Sequence, residues 1–169
     1  MWVPGSLVVF FSRLAASMKW TTSKGGPWVP TAMSMVYRML ELAEVCPQDT
    51  VYDLGCGDGR LVIAAASDYG ARAVGIEIDP IRYLWCQLMI TIFGLRRRVK
   101  ILHGDFFKKD LSGATLVTCY LLPDTNKELE DKFKDECQPG TRVVSNNFTF
   151  PGLPLVAEDD DARLYEIGA

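Results

Sequence analysis

The stretch Val51-Tyr52-Asp53-Leu54-Gly55-Cys56-Gly57-Asp58-Gly59-Arg60 decides the fold. An apolar run ends in a carboxylate, and three glycines alternate through the turn that leads into a helical stretch over about residues 60–69. Glycine suits this place because a ligand nearing the backbone would collide with a Cβ, and because such turns use positive φ. The helix start beyond the turn presents free N–H groups and the positive end of its dipole. A dinucleotide turn, G-x-G-x-x-G, needs its third glycine one position later. Here it comes early, and Asp53 and Asp58 put two negative charges where a pyrophosphate would sit. Coulomb repulsion disfavours a phosphate there and favours a cation.

Outward from this motif the chain alternates. Residues 51–54, 73–78, 99–102, 115–120 and 142–146 read as strands. Between them, helical stretches run to about residues 69, 93 and 136. Asp79-Pro80 supplies a cap and a proline for the second of these, and Asp124 caps the third. Thr31 caps an earlier helix reaching about Ala43, and two short strands near 155–157 and 163–167 flank Asp159-Asp160-Asp161. Strand–helix alternation at this spacing requires right-handed crossovers. It predicts an α/β, Rossmann-like sheet of seven mainly parallel strands with helices on both faces.

Composition agrees with one globular domain: 169 residues, 49% hydrophobic, 23% charged, net charge -3. His103 is the sole histidine, which excludes a metal site built on two imidazoles. Five scattered cysteines without a C-x-x-C read as free thiols of an intracellular, reducing compartment. Charge is uneven. Residues 1–40 hold four cations and no acid, whereas the remainder holds 14 cations and 21 acids.

Within that cationic start, Leu7, Phe10, Phe11, Leu14, Ala15 and Met18 fall on one helical face opposite Ser6, Arg13 and Ser17. The stretch is too short and interrupted for a membrane span. It fits an amphipathic helix that packs on the domain, contacts a membrane surface, or serves as a mitochondrial presequence. We therefore divide the chain into an N-terminal segment and linker at 1–26 and a domain at 27–169.

Two further signals join the glycine turn. Glu77 ends the second strand, where a carboxylate accepts hydrogen bonds from both hydroxyls of a ribose. Gly104-Asp105-Phe106-Phe107 follows the third strand, where Asp105 suits an exocyclic adenine amine and Phe106 the ring face. All three lie on the carboxyl edge of the sheet, where open α/β folds bind ligands.

This constellation resembles the class I S-adenosylmethionine (SAM)-dependent methyltransferases over residues 50–169. The resemblance implies S-adenosyl-L-methionine as cofactor. It implies that Asp53, Gly55, Gly57 and Gly59 surround the methionine and ribose portions, that Glu77 holds the ribose, and that Asp105 and Phe106 hold adenine. Tyr52 and Ile78 join the cofactor-binding set. A narrower likeness rests on Pro27-Trp28-Val29-Pro30-Thr31, on 51–60 and 104–107, on Leu121-Leu122-Pro123-Asp124 and on 139–145. In this order they resemble the small archaeal broad-specificity protein-lysine methyltransferases. They also resemble their mitochondrial relatives acting on the adenine nucleotide translocase or the ATP-synthase c-ring protein. That implies a protein substrate carrying the acceptor lysine, with Trp28 and Thr31 folded over the cofactor near the methyl group. Trp28, Tyr120, Asp124 and Asn146 are the candidate shapers of the acceptor channel.

Rival readings are a methyltransferase for a small molecule or RNA, and a SAM-binding module without activity. Arg96-Arg97-Arg98-Val99-Lys100 is a basic cluster suited to phosphates, but cations at a helix C-terminus are also stabilised by its dipole. Base-amine methyltransferases usually carry Asn/Asp-Pro-Pro-aromatic where this chain has Leu121-Leu122-Pro123-Asp124. With the acidic body, this speaks against a nucleic-acid substrate.

Overall fold

A computed structural model describes residues 29–168, so the expected N-terminal helix, its linker and Trp28 lie outside the described residues. Seven strands are described: β1 (Thr50–Leu54), β2 (Arg72–Glu77), β3 (Val99–His103), β4 (Leu116–Cys119), β5 (Arg142–Asn146), β6 (Leu155–Asp159) and β7 (Ala162–Glu166). Four α-helices accompany them: α1 (Met33–Leu42), α2 (Arg60–Ser67), α3 (Pro80–Ile92) and α4 (Pro123–Glu136), with a 3-10 turn at Phe106–Lys108. The order across the sheet is β3-β2-β1-β4-β5-β7-β6. β1 to β5 run parallel, β7 is antiparallel to β5, and β6 to β7. This is the mainly parallel seven-stranded sheet that the alternation predicts.

Side chains alternate across the sheet with period two. Val51, Ala73, Val99, Leu116 and Val144 join one core with α1, α2 and α3. Leu54, Ile76, Val117, Val143 and Tyr165 join a second with Leu129 and Phe133 of α4 and with Leu111 and Phe150 from loops. Helices thus cover both faces, three on one and one on the other. The whole run from Arg60 to Ala66 is buried, since α2 lies between the sheet and α1. The small Ala64, Ala65 and Ala66 permit that close approach.

Two caps differ from expectation. Ala32, not Thr31, precedes α1, without a side-chain cap. Pro123 is the first residue of α4 and Leu122 precedes it as the cap, so the helix starts two residues earlier than a cap at Asp124 would set it, and Asp124 lies within it. Proline there forgoes only an amide that has no helical partner. Asp79 does cap α3, accepting from the Ile81 and Arg82 amides at 2.9 and 3.0 Å.

The strand order reverses at β1, whose neighbours are β2 and β4. Chain connections leave in opposite directions there, opening a crevice beyond the carboxyl ends. Gly75 on β2 keeps the floor of this crevice close. A Cβ there would lie 2.7 Å from Cys56 Sγ and 2.9 Å from Ile101 Cδ1. Gly75→Ala is therefore expected to cost about 1–3 kcal/mol of stability by overpacking. Urea denaturation would check it, and an unchanged midpoint would mean that the glycine turn yields freely.

Candidate active site

The crevice holds a cavity of about 410 Å³, walled by the glycine turn, the end of β2, the 3-10 turn, the β4–α4 loop and the segment before α1. It is built first by the backbone. The Gly55 and Cys56 amides both donate to the Ile76 carbonyl, at 2.9 and 3.0 Å, which folds the turn over β2. Gly55, Gly57 and Gly59 have φ of 80°, 58° and 82°, a region that disfavours side chains. Gly59 itself does not line the cavity. It precedes α2, and a Cβ on it would meet Cys86 Sγ at 3.0 Å.

Three carboxylates converge on this turn. Glu77 is 3% exposed. Its Oε2 accepts from the Gly57 amide at 2.9 Å, and its Oε1 from the Asp79 amide at 2.8 Å and Arg82 Nη2 at 3.1 Å. The acid read from sequence as a ligand contact thus also fastens the glycine turn to α3. Asp53 lies in register with Thr118 on β4 and accepts from its hydroxyl at 2.9 Å. Asp58 is gripped by Arg60, whose Nε lies 2.9 Å from Oδ1, and Arg60 Nη1 donates at 2.6 Å to the Thr31 carbonyl. One buried guanidinium thereby joins the turn to the segment ahead of α1.

Burial pushes the Asp53 carboxyl up to about 7; the Thr118 hydroxyl draws it down, while the charges of Glu77 and Asp58 raise it. The folded protein therefore holds this proton more tightly than the unfolded chain. The stability it contributes is complete below about pH 4 and is lost as pH rises through about 7. Asp53→Asn should remove that loss. Thermal melts of the cofactor-free protein from about pH 5 to about pH 8 should show wild type falling relative to the variant. Parallel curves would contradict the assignment.

Ile78, Asp105, Phe106 and Phe107 line the same cavity. Asp105 Oδ1 accepts from the Phe107 amide at 3.0 Å, which starts the 3-10 turn and packs the two phenyl rings 4.8 Å apart. Across the cavity stand Thr31, Tyr120, Leu121, Thr125 and Phe148. The rings of Tyr120 and Phe148 stack with centroids 6.1 Å apart and planes 22° apart.

Besides Gly59, three candidate residues are placed outside the cavity wall. Tyr52 points to the opposite face of β1 from Asp53, as strand alternation dictates, and packs with the α4-side core. Asp124 is exposed in the first turn of α4, and Thr125 takes the cavity wall in its place. Asn146 is buried at the end of β5 opposite Ala162 and does not line the cavity. A turn at Asn147, with φ of 68°, delivers Phe148 instead. Trp28 lies outside the described residues. Phe107, Arg60, Thr125 and Phe148 are not among the site residues read from sequence, although Arg60 and Phe107 sit in stretches already quoted and Thr125 directly follows one. Among the described residues, no group of three or more His, Cys, Asp or Glu is placed to hold a metal. All five cysteines are free thiols.

Carboxylates around a glycine turn at the switch point of a β3-β2-β1-β4-β5-β7-β6 sheet, with aromatic walls opposite, define a class I methyltransferase. The model of the ANTKMT methyltransferase domain matches residues 53–157. A protein-lysine N-methyltransferase of Saccharolobus islandicus is 47% identical over 127 residues, 75% of this chain and 79% of that protein. The adenine nucleotide translocase lysine N-methyltransferase of Mus musculus is 34% identical over 131 residues, 78% of this chain and 57% of that longer protein. Among solved structures, an RNA methyltransferase from Salinibacter ruber in complex with S-adenosyl-L-homocysteine superposes with TM-score 0.78 at 42% identity. It covers 82% of this chain and 92% of that one. The chain belongs to the ANTKMT methyltransferase domain family.

Proposed function

We propose that the protein transfers methyl groups from S-adenosyl-L-methionine to lysine side chains of protein substrates. The observation that carries this reading is a single cavity with a carboxylate floor on one side and a stacked aromatic pair on the other. A ring of acids suits a nucleoside that carries a sulfonium and an ammonium, and would repel a dinucleotide. When bound, S-adenosylmethionine supplies a methyl group open to in-line displacement. Asp53 and the glycine turn would hold its methionine portion, Glu77 the ribose, and Asp105 with Phe106 and Phe107 the adenine.

The protein's remaining work concerns the acceptor. An unperturbed lysine is neutral in only about one part in 2,500 at pH 7, a handicap of about 4.6 kcal/mol. Desolvation of the stem against the Tyr120 and Phe148 pair, beside a cationic cofactor, lowers that handicap. Positioning of the amine contributes most of the remainder. The two ring faces also attract the ammonium before its proton leaves. Names of relatives favour this acceptor, since the archaeal and mouse proteins are both called lysine N-methyltransferases.

A second reading, RNA as acceptor, rests on the likeness to the Salinibacter protein and on the cations at 96–98 and 100. Incubation with methyl-tritiated cofactor and cell lysate, followed by protease or ribonuclease digestion, separates the two. Label released by protease and recovered as methyl-lysine supports the proposal. Label released by ribonuclease would overturn it.

We further propose that residues 1–20 add a membrane contact, consistent with a membrane-associated or mitochondrial location. A chain starting at Thr21 should bind anionic vesicles more weakly than the full chain, and equal binding would remove that role. Among the described residues, no helix is long and apolar enough to cross a membrane.

A further inference from the structure

Helix α3 carries a face that the cavity does not use. Ile81, Leu84, Leu88 and Ile92 recur at intervals of three, four and four residues, which sets them in one stripe about 16 Å long. They are 55%, 63%, 51% and 50% exposed, while Cys86, Met89 and Ile90 of the same helix turn to the core. Aliphatic side chains exposed singly are ordinary, but four in line mark an interaction surface.

The charge around the stripe is one-sided. Residues 80–104 contain no acid and, besides the buried and ion-paired Arg82, four exposed cations, in a protein whose net charge is -3. Arg96 Nε donates to Thr91 Oγ1 at 2.9 Å, folding its guanidinium back toward the Leu88–Ile92 end of the stripe. Arg97, Arg98 and Lys100 are exposed beyond it, and Arg98 reaches the Gly70 carbonyl. Among the described residues, none of these four cations joins an ion pair.

We propose that this face of α3 docks on an anionic lipid surface, with Ile81, Leu84, Leu88 and Ile92 entering the acyl boundary and Arg96, Arg97, Arg98 and Lys100 meeting headgroup phosphates. An aliphatic ridge with flanking cations is the pattern of an interfacial helix. A second copy using the same patch would bring four more exposed cations and no acid. A convex ridge of Ile and Leu also lacks the aromatic anchors that protein partners favour. The chain's own residues 1–20, cationic and free of acids, lack charge complementarity to this face in the same way. Because Ile81 follows Ile78, which lines the cavity, docking would set the cavity mouth near the lipid plane.

The test uses the full chain and its Leu84→Ser/Leu88→Ser and Arg96→Gln/Arg97→Gln variants, each first confirmed as folded by circular dichroism. Co-sedimentation compares vesicles of phosphatidylcholine alone with equal parts phosphatidylcholine and phosphatidylserine. Wild type should bind the mixed vesicles and scarcely the neutral ones. The arginine variant should lose roughly 30-fold in affinity, and the leucine variant at least about tenfold. Wild-type binding by both variants would overturn the proposal, as would equal binding to both vesicle types or no binding at all. A dimer in light scattering that Leu84→Ser/Leu88→Ser dissociates, without vesicle binding, would assign the face to a second copy instead.

Discussion

Glu77→Ala is expected to lower stability by about 3–5 kcal/mol and to abolish measurable binding of S-adenosyl-L-homocysteine. The reason is that Glu77 is engaged from three directions, by Gly57, Asp79 and Arg82. Removing it takes from the Arg82 guanidinium, 2% exposed, the nearer of its two carboxylates, leaving Asp79 at 3.9 Å, and frees the Gly57 amide that shapes the turn. A single variant would confound folding with binding. Glu77→Gln separates them, since it preserves volume and one acceptor oxygen. It should melt closer to wild type yet bind the cofactor product at least about tenfold more weakly, through loss of charge-assisted hydrogen bonds. Chemical denaturation reads the first effect and calorimetry the second. Unchanged affinity in a folded Glu77→Gln protein would remove Glu77 from the ribose.

The other large effect is expected at Arg60. Its side chain pairs with buried Asp58 and donates to the Thr31 carbonyl. Arg60→Met leaves Asp58, 5% exposed, without a countercharge, at a cost of about 3–5 kcal/mol. It also releases the segment from Val29 to Thr31 from the rim of the cavity. Arg60→Met/Asp58→Leu should recover most of the stability, because replacing a buried pair by apolar groups is often neutral. It should not recover methyl transfer, since the tether to Thr31 remains cut. Full recovery of transfer in the double variant would show that the segment ahead of α1 is held by other contacts.

Much of this arrangement was legible in the sequence because it rests on local rules. Glycine spacing announced the turn at 55–59, Asp79-Pro80 announced the start of α3, and alternation of strand and helix implied the parallel sheet. The misplacements share a different origin. Tyr52 was grouped with Asp53 by adjacency, yet neighbours on a strand face opposite sides. Asp124 has the side chain of a cap, but Pro123 opens the helix and moves the cap two positions back, to Leu122. Asn146 was chosen at a strand end, whereas the positive-φ turn at Asn147 hands the wall to Phe148. Contacts that bridge distant parts of the chain left no local trace. Arg60 with Thr31 spans 29 positions and Glu77 with Gly57 spans 20. The stripe on α3 was hidden for the converse reason: apolar periodicity announces a helix but not which apolar face meets water.

Central to the proposed function is that Asp53, Glu77 and Asp105 would hold a single nucleoside whose sulfur faces Tyr120 and Phe148. A crystal structure of the protein with S-adenosyl-L-homocysteine tests it directly. The predicted result places the ribose hydroxyls on Glu77, the adenine amine on Asp105 between Phe106 and the β2 end, and the sulfur toward the stacked rings. A ligand bound outside the crevice, or one whose ribose leaves Glu77 untouched, would contradict it.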